Sequence, residues 1–140
     1  MAEQRIRERL AGCWRLVSYN VTPVEGGEAE RPLGDHPLGT ILYTPDGYMS
    51  AQLARQGPYD HDDQQPDAYY IAYSGPCTYD DKDGSFSLKV HAAWRPNYVG
   101  TDQKRMFHFE NGKLIFGTLA NSIRSNGETL TRRLTLIRVQ

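Results

Sequence analysis

The run Gln103-Lys104-Arg105-Met106-Phe107-His108-Phe109 puts a guanidinium on the same parity as two aromatic rings. Successive side chains of an extended chain alternate between faces, so if Phe107 and Phe109 point into a core, Arg105 and Gln103 follow them. A buried arginine is costly unless an anion or a carbonyl meets it. Two partners are open to it: a ligand's carboxylate or enolate, and an internal Asp or Glu. Tyrosines supply the second group, nine of them against four Phe and two Trp. Rings that carry a hydroxyl suit a wet pocket as well as a core. Tyr73 and Tyr79 share parity with Gly75 and Cys77, Tyr43 shares a face with Gly39 and Ile41, and Tyr48, Ser50 and Gln52 share one face of the following segment. A cavity lined this way would orient an oxygenated, largely apolar molecule and stabilise a developing oxyanion. Half-buried tyrosines on sheet faces, their hydroxyls in water, account for each ring singly.

Proton transfer near neutral pH calls for histidine, and there are four. His36 lies in a Gly- and Pro-bearing loop and His61 in an acidic excursion, so both read as solvated. His108 alternates outward between Phe107 and Phe109. His91 is the candidate, because it ends a regular strand just before the irregular run Trp94-Arg95-Pro96-Asn97-Tyr98-Val99-Gly100. Strict alternation gives the inside to Phe86, Leu88 and Val90 and leaves His91 outside; a bulge at the strand end would reverse that. The expected catalytic set is therefore Arg105, His91 and Tyr73. The expected ligand-binding set is Tyr43, Tyr48, Ser50, Gln52, Tyr79, Trp94, Asn97, Tyr98 and Gln103.

Other chemistries lack their signatures. Asp60, Asp62, Asp63 and Asp67 have neither the alternating spacing nor the glycine of a calcium loop, so they read as solvated loop. No Gly-rich phosphate loop, nucleophile elbow or paired-carboxylate pattern is present. The two cysteines, Cys13 and Cys77, form no Cys-x-x-Cys pair and read as buried small apolar side chains. No metal and no cofactor are expected.

The elements that must position these residues are mostly strands. Ile6 and Leu10, four apart among charges, give a short amphipathic helix over 3–10 that Gly12 ends. Residues 14–21 follow as a strand with Trp14, Leu16 and Ser18 on one face. The polar stretch 23–37 is a long loop or a second short strand with turns. Strands at 39–44 and 48–53 flank Pro45-Asp46-Gly47, and strands at 68–79 and 85–91 flank the Asp- and Gly-rich turn at 80–84. Further strands cover 101–109, 113–118 and 129–139, with turns at Asn111-Gly112 and Asn126-Gly127. About eight sequentially adjacent strands joined by tight turns close naturally into an up-and-down antiparallel barrel, with a β-sandwich as the rival. A barrel of eight is either filled by side chains or holds one small ligand. The segments 58–67 and 94–100 read as loops at its mouth, where specificity and gating reside.

The composition fits this picture. A chain of 140 residues makes one domain with an adequate core. Sixteen basic against seventeen acidic residues, a net charge of −1, leave no basic face for nucleic acid. No apolar run is long enough to span a bilayer, and the first residues are charged where a signal peptide would be apolar, so a cytoplasmic protein with no membrane partner is expected. A small-molecule ligand is the expected partner; a homodimer is left open.

Gly12-Cys13-Trp14 before the first strand resembles the opening of lipocalins, whose Trp closes one barrel end beneath a basic side chain of the last strand. Arg138 or Arg133 would supply that cation here. The longer pattern Gly12-x-Trp14-x-Leu16-x-Ser18, Gly39-x-x-x-Tyr43-Thr44-Pro45-Asp46-Gly47-Tyr48-Met49-Ser50-Ala51, Tyr73-Ser74-Gly75, then Pro96-Asn97 and Gly100-Thr101, resembles the bacterial and fungal lipocalin-like domain family, of calycin type, from about Leu10 to Val139. The resemblance implies a single eight-stranded barrel after a short helix. It also implies a lean toward natural-product pathways, since related barrels include cofactor-free cyclases and isomerases. The expectation is a cofactor-free cyclase, isomerase or dehydratase acting on an apolar, oxygenated metabolite. Arg105 and the tyrosines would stabilise negative charge while His91 or a Tyr carries the proton. The alternative is a carrier that sequesters such a molecule unchanged.

Overall fold

A computed structural model describes residues 2–57, 70–80, 82, 84–117, 122–123 and 129–139. Helix α1 (Ala2–Leu10) leads into β1 (Gly12–Pro23), β2 (Leu38–Tyr43), β3 (Tyr48–Ala54), β4 (Tyr70–Asp80), β5 (Ser85–Lys89), the two-residue β6 (Ala92–Ala93), β7 (Asp102–Glu110), β8 (Lys113–Gly117), the two-residue β9 (Ser122–Ile123) and β10 (Thr129–Arg138). Eight strands pair in the order β1-β2-β3-β4-β5-β7-β8-β10, and β10 pairs back onto β1 from Trp14 opposite Arg138 to Pro23 opposite Leu130. All of these pairings are antiparallel, so the sheet is a closed eight-stranded barrel rather than a sandwich. The short strands sit at its rim: β6 extends the β5 side along β4, and β9 pairs the start of β10.

Alternation decides the interior. Ile41 and Tyr43, then Met49, Ala51 and Leu53, then Tyr73 and Cys77, then Phe86 and Leu88, all point in. Asn111 and Gly112 both have positive φ, 52° and 77°, as a two-residue hairpin turn between right-twisted strands requires. The first strand departs from its expected face. A bulge at Val17, between Leu16 opposite Leu136 and Ser18 opposite Thr135, reverses the parity. Ser18 is thus only half-buried, and Tyr19 and Val21 go in instead. Residues 24–37 carry a single bridge, Val21 to Glu30, and contribute two buried side chains, Leu33 and Pro37. Cys77 is buried as expected, whereas Cys13, on the opposite parity to Trp14, is half-buried.

One barrel end is sealed. The Arg138 guanidinium lies 4.3 Å from the centre of the Trp14 ring, and its two Nη groups donate to the carbonyls of Ala11 (2.6 Å) and Arg9 (2.5 Å). Trp14 Nε1 donates to Leu10 O at 2.8 Å, and Arg9 lies over Phe109 at 3.9 Å. Of the two candidate cations it is Arg138 that closes the barrel; Arg133 is on the outside, 3.4 Å from Glu110. Strand β7 therefore runs from the 94–101 connection at the other end down to Phe109 beneath the helix. Among the described residues no helix is long and apolar enough to cross a membrane. The expected loop at 58–67, with His61 and the four aspartates, and the turn at Asn126-Gly127 lie outside the described residues.

Candidate functional site

Gln103, Arg105, Phe107 and Phe109 share the inner side of β7, and Lys104, His108 and Glu110 the outer side. Arg105 is thus carried inward by the strand that also carries the rings. Its Nη2 donates to Tyr98 Oη at 3.2 Å, and Nη1 donates to Lys104 O at 3.1 Å and Gln103 Oε1 at 3.4 Å. Gln103 Nε2 donates to Thr101 Oγ1 at 2.9 Å, which in turn donates to Tyr98 O at 2.6 Å. These bonds close a ring from Tyr98 through Thr101 and Gln103 to Arg105 and back, so both the guanidinium and the phenol are held in place. Among the described residues no carboxylate lies within ion-pair distance of Arg105. Of the two partners open to it from the sequence, the internal acid is not found there.

An aromatic cluster surrounds the charge. Tyr73 packs edge-on to Tyr98 at 5.9 Å and tilted to Trp94 at 6.3 Å, and Trp94 meets Tyr98 at 5.3 Å. Tyr98 and Trp94 come from the irregular connection, where Pro96–Tyr98 forms one turn of 3₁₀ helix. Towards the sealed end the lining turns apolar: Phe86 touches Tyr43, Tyr79, Phe107 and Phe116 with ring centres 5.8 to 6.3 Å apart. Two buried donors among these rings, Tyr43 Oη and Trp94 Nε1, have no acceptor among the described residues. The interior is therefore amphipathic, with a cation and hydroxyls set against a phenylalanine floor.

Titration behaviour follows from this placement. Burial pushes the Tyr43 phenol well above its usual value, Cys77, Tyr73 and Tyr79 add to the rise, and Arg105 opposes it. Burial also raises Tyr73, again against Arg105. Both phenols are therefore neutral donors at physiological pH and poor bases. For Arg105 itself burial works against the charge, but Tyr73 and Tyr98 more than offset it, so the group stays a cation.

The expected residues divide into two sets. Arg105, Tyr73, Tyr98, Gln103, Trp94, Tyr43 and Tyr79 are brought together inside. His91 is not. Three steps along β4, from Cys77 to Ser74, face four along the opposing chain, from Leu88 to Ala92, so the foreseen bulge does occur. It places His91 and Ala92 both outside, while Val90 stays buried. Asn97 is exposed as well. Tyr48, Ser50 and Gln52 do share a face, but it is the outer one, because Met49, Ala51 and Leu53 take the interior. Ser50 and Gln52 line a shallow outer groove of about 320 Å³ in which Tyr70 Oη donates to Gln52 Oε1 at 2.7 Å.

Three contributors were not anticipated. Thr101 fixes Gln103, and nothing in its type distinguishes it from other strand threonines. Tyr19 is buried because of the Val17 bulge, which strict alternation hides. Arg132 sits on the inner parity of β10 with Leu130, Leu134 and Leu136, and its Nε donates to Tyr19 Oη at 3.1 Å. That signal was legible, since Arg132 alternates with the leucines as Arg105 does with the phenylalanines.

Among curated proteins none matches the chain. A family model described as the lipocalin-like domain matches residues 11–139, all but the first ten residues and the last. The closed eight-stranded barrel, the Trp14–Arg138 seal and this match agree, and the chain belongs to the lipocalin-like domain family.

Proposed function

We propose that the barrel binds a small, largely apolar, oxygenated molecule and holds its acidic oxygen at Arg105. One observation carries this reading: a guanidinium directed into an aromatic interior whose partners among the described residues are all neutral oxygens. An anion from outside supplies what the fold does not. Tyr98 and Tyr73 stand beside it, Tyr73 as a neutral donor, and the phenylalanine floor takes the apolar remainder. The family's architecture supports small-molecule binding in the same interior.

A second reading adds turnover, and the pairing of Arg105 with the neutral phenol of Tyr73 favours it. Those groups stabilise an enolate better than the carbonyl from which it forms, as a cofactor-free isomerase, cyclase or dehydratase requires. In that scheme the proton leaving carbon passes to water at the open end, and the Tyr73 hydroxyl hydrogen-bonds the enolate oxygen, since His91 is outside.

The test is titration with 8-anilinonaphthalene-1-sulfonate, an apolar anion, against the neutral N-phenyl-1-naphthylamine. The native protein should bind the anion more tightly by roughly tenfold or more, and Arg105→Met should remove the preference. Equal affinities, or a preference that survives Arg105→Met, would refute it. Incubation with a host metabolite extract, followed by mass spectrometry, separates the two readings. Many equivalents of an isomer or dehydrated product per protein mean an enzyme; one equivalent recovered intact on denaturation means a carrier.

A further inference from the structure

We infer that Arg132 and Tyr19 form a second anion subsite, so that the ligand carries two acidic groups, one held at Arg105 and the other at Arg132. This rests on the Arg105 reading above and names the class of ligand more narrowly, as a dianion with an apolar body.

The last strand brings Arg132 in by the same logic that β7 applies to Arg105. It is half-buried between Leu130 and Leu134 on the inner side, while Arg133 and Thr131 face out. Its Nε donates to Tyr19 Oη, a phenol only 8% exposed, and its Nη groups have no acceptor among the described residues. The remaining planar fork is what binds a carboxylate in two-point fashion. Tyr19, which accepts from Arg132, also interacts electrostatically with Arg105 and with Tyr73. Arg132 lies opposite Val21 near the end of β1, away from the sealed end, where a ligand would enter.

The other basic residues of this strand have evident structural work. Arg138 seals the barrel and Arg133 pairs with Glu110 outside. Among the described residues Arg132 has only the Tyr19 hydroxyl. Two like charges facing one interior repel each other, and a monoanion relieves one of them. A dianion spanning both relieves the pair and gains a second set of charge-assisted hydrogen bonds.

The experiment is displacement of the bound naphthalene sulfonate by the straight-chain dicarboxylates from succinate to azelate, each matched with the monocarboxylate of equal carbon number. One chain length should bind roughly tenfold or more tighter than its monocarboxylate. Arg132→Met should erase that advantage while the monocarboxylates keep their dependence on Arg105, Arg132→Lys should restore part of it, and Arg105→Met should weaken both series. A thermal melt of each variant shows that it is folded. If no dicarboxylate outbinds its partner, or the advantage survives Arg132→Met, the second subsite is refuted while the Arg105 reading stands. If monocarboxylates bind equally well with and without Arg105, it is the underlying reading that fails.

Discussion

Replacing Arg105 by Met should make the ligand-free protein more stable, and the size of the gain follows from what the guanidinium touches. Taking an ion out of water costs several kcal/mol, and for a half-buried group about 4 kcal/mol is a fair discount. Against this stand hydrogen bonds to Lys104 O at 3.1 Å, Tyr98 Oη at 3.2 Å and, at a long 3.4 Å, Gln103 Oε1. Bonds from a charged donor contribute about 1.5–3 kcal/mol each at good geometry, and these, to neutral acceptors, about 3 kcal/mol together. Methionine in the same space adds about 1 kcal/mol of apolar burial. The variant should therefore gain about 1–2 kcal/mol, which in a chain of 140 residues raises Tm by roughly 3–6 °C. Urea unfolding followed by tryptophan fluorescence and a calorimetric scan measure both quantities. A loss of more than about 1 kcal/mol would show that Arg105 holds the fold together, and the argument that its charge awaits a ligand would collapse.

Three further outcomes are expected. Gly75→Ala should destabilise by about 3 kcal/mol or more in chemical denaturation, because its Cβ would stand 1.8 Å from Lys89 O where the bulged chain crosses β4; a normal midpoint would mean that the close approach is not real. Above pH 10 the folded state keeps a proton on Tyr43 that the unfolded chain releases, so stability should fall as pH rises by up to about 1.4 kcal/mol per unit for this group, and Tyr43→Phe should flatten the slope, equal slopes arguing against a buried phenol. Cys77 is 2% exposed and burial pushes its thiol up to about 12, so a disulfide reagent at pH 8 should label one equivalent in the native protein, at Cys13, and two after unfolding.

Much of this was written in the alternation of the chain, and two of the misreadings share one cause. Parity placed Arg105 and Gln103 with Phe107 and Phe109, and Tyr73 with Cys77, because uninterrupted pairing lets a period of two run the length of a strand. Where an extra residue enters, the period breaks. The Val17 bulge moved Tyr19 into the interior in place of Ser18, and the second bulge left His91 and Ala92 on the same side. A bulge depends on how two strands pass each other across the barrel, which neither strand shows alone. Tyr48, Ser50 and Gln52 misled differently. Their common face was correctly read, but the interior went to the apolar face of the same strand. Arg132 was open to the parity argument too, since it alternates with Leu130, Leu134 and Leu136 as Arg105 does with the phenylalanines.

The two ends of the barrel hold their cations differently. At the sealed end a cation also meets an aromatic ring, but Arg138 is fully engaged: its guanidinium covers Trp14 and its Nη groups satisfy two carbonyls at the end of the helix. That arrangement closes a hole and completes the hydrogen bonding of α1, so structure alone explains it. Arg105 and Arg132 do neither. They sit among side chains that would pack as well around a methionine, and the bonds they make are to phenols, an amide and one strand carbonyl. The ring through Tyr98, Thr101 and Gln103 spends three side chains and a turn of 3₁₀ helix on fixing the direction of one guanidinium. Fixing a direction adds little to folding, since the donor would satisfy itself as well in water. It adds a great deal to binding, because an oriented cation loses no further freedom when an anion arrives.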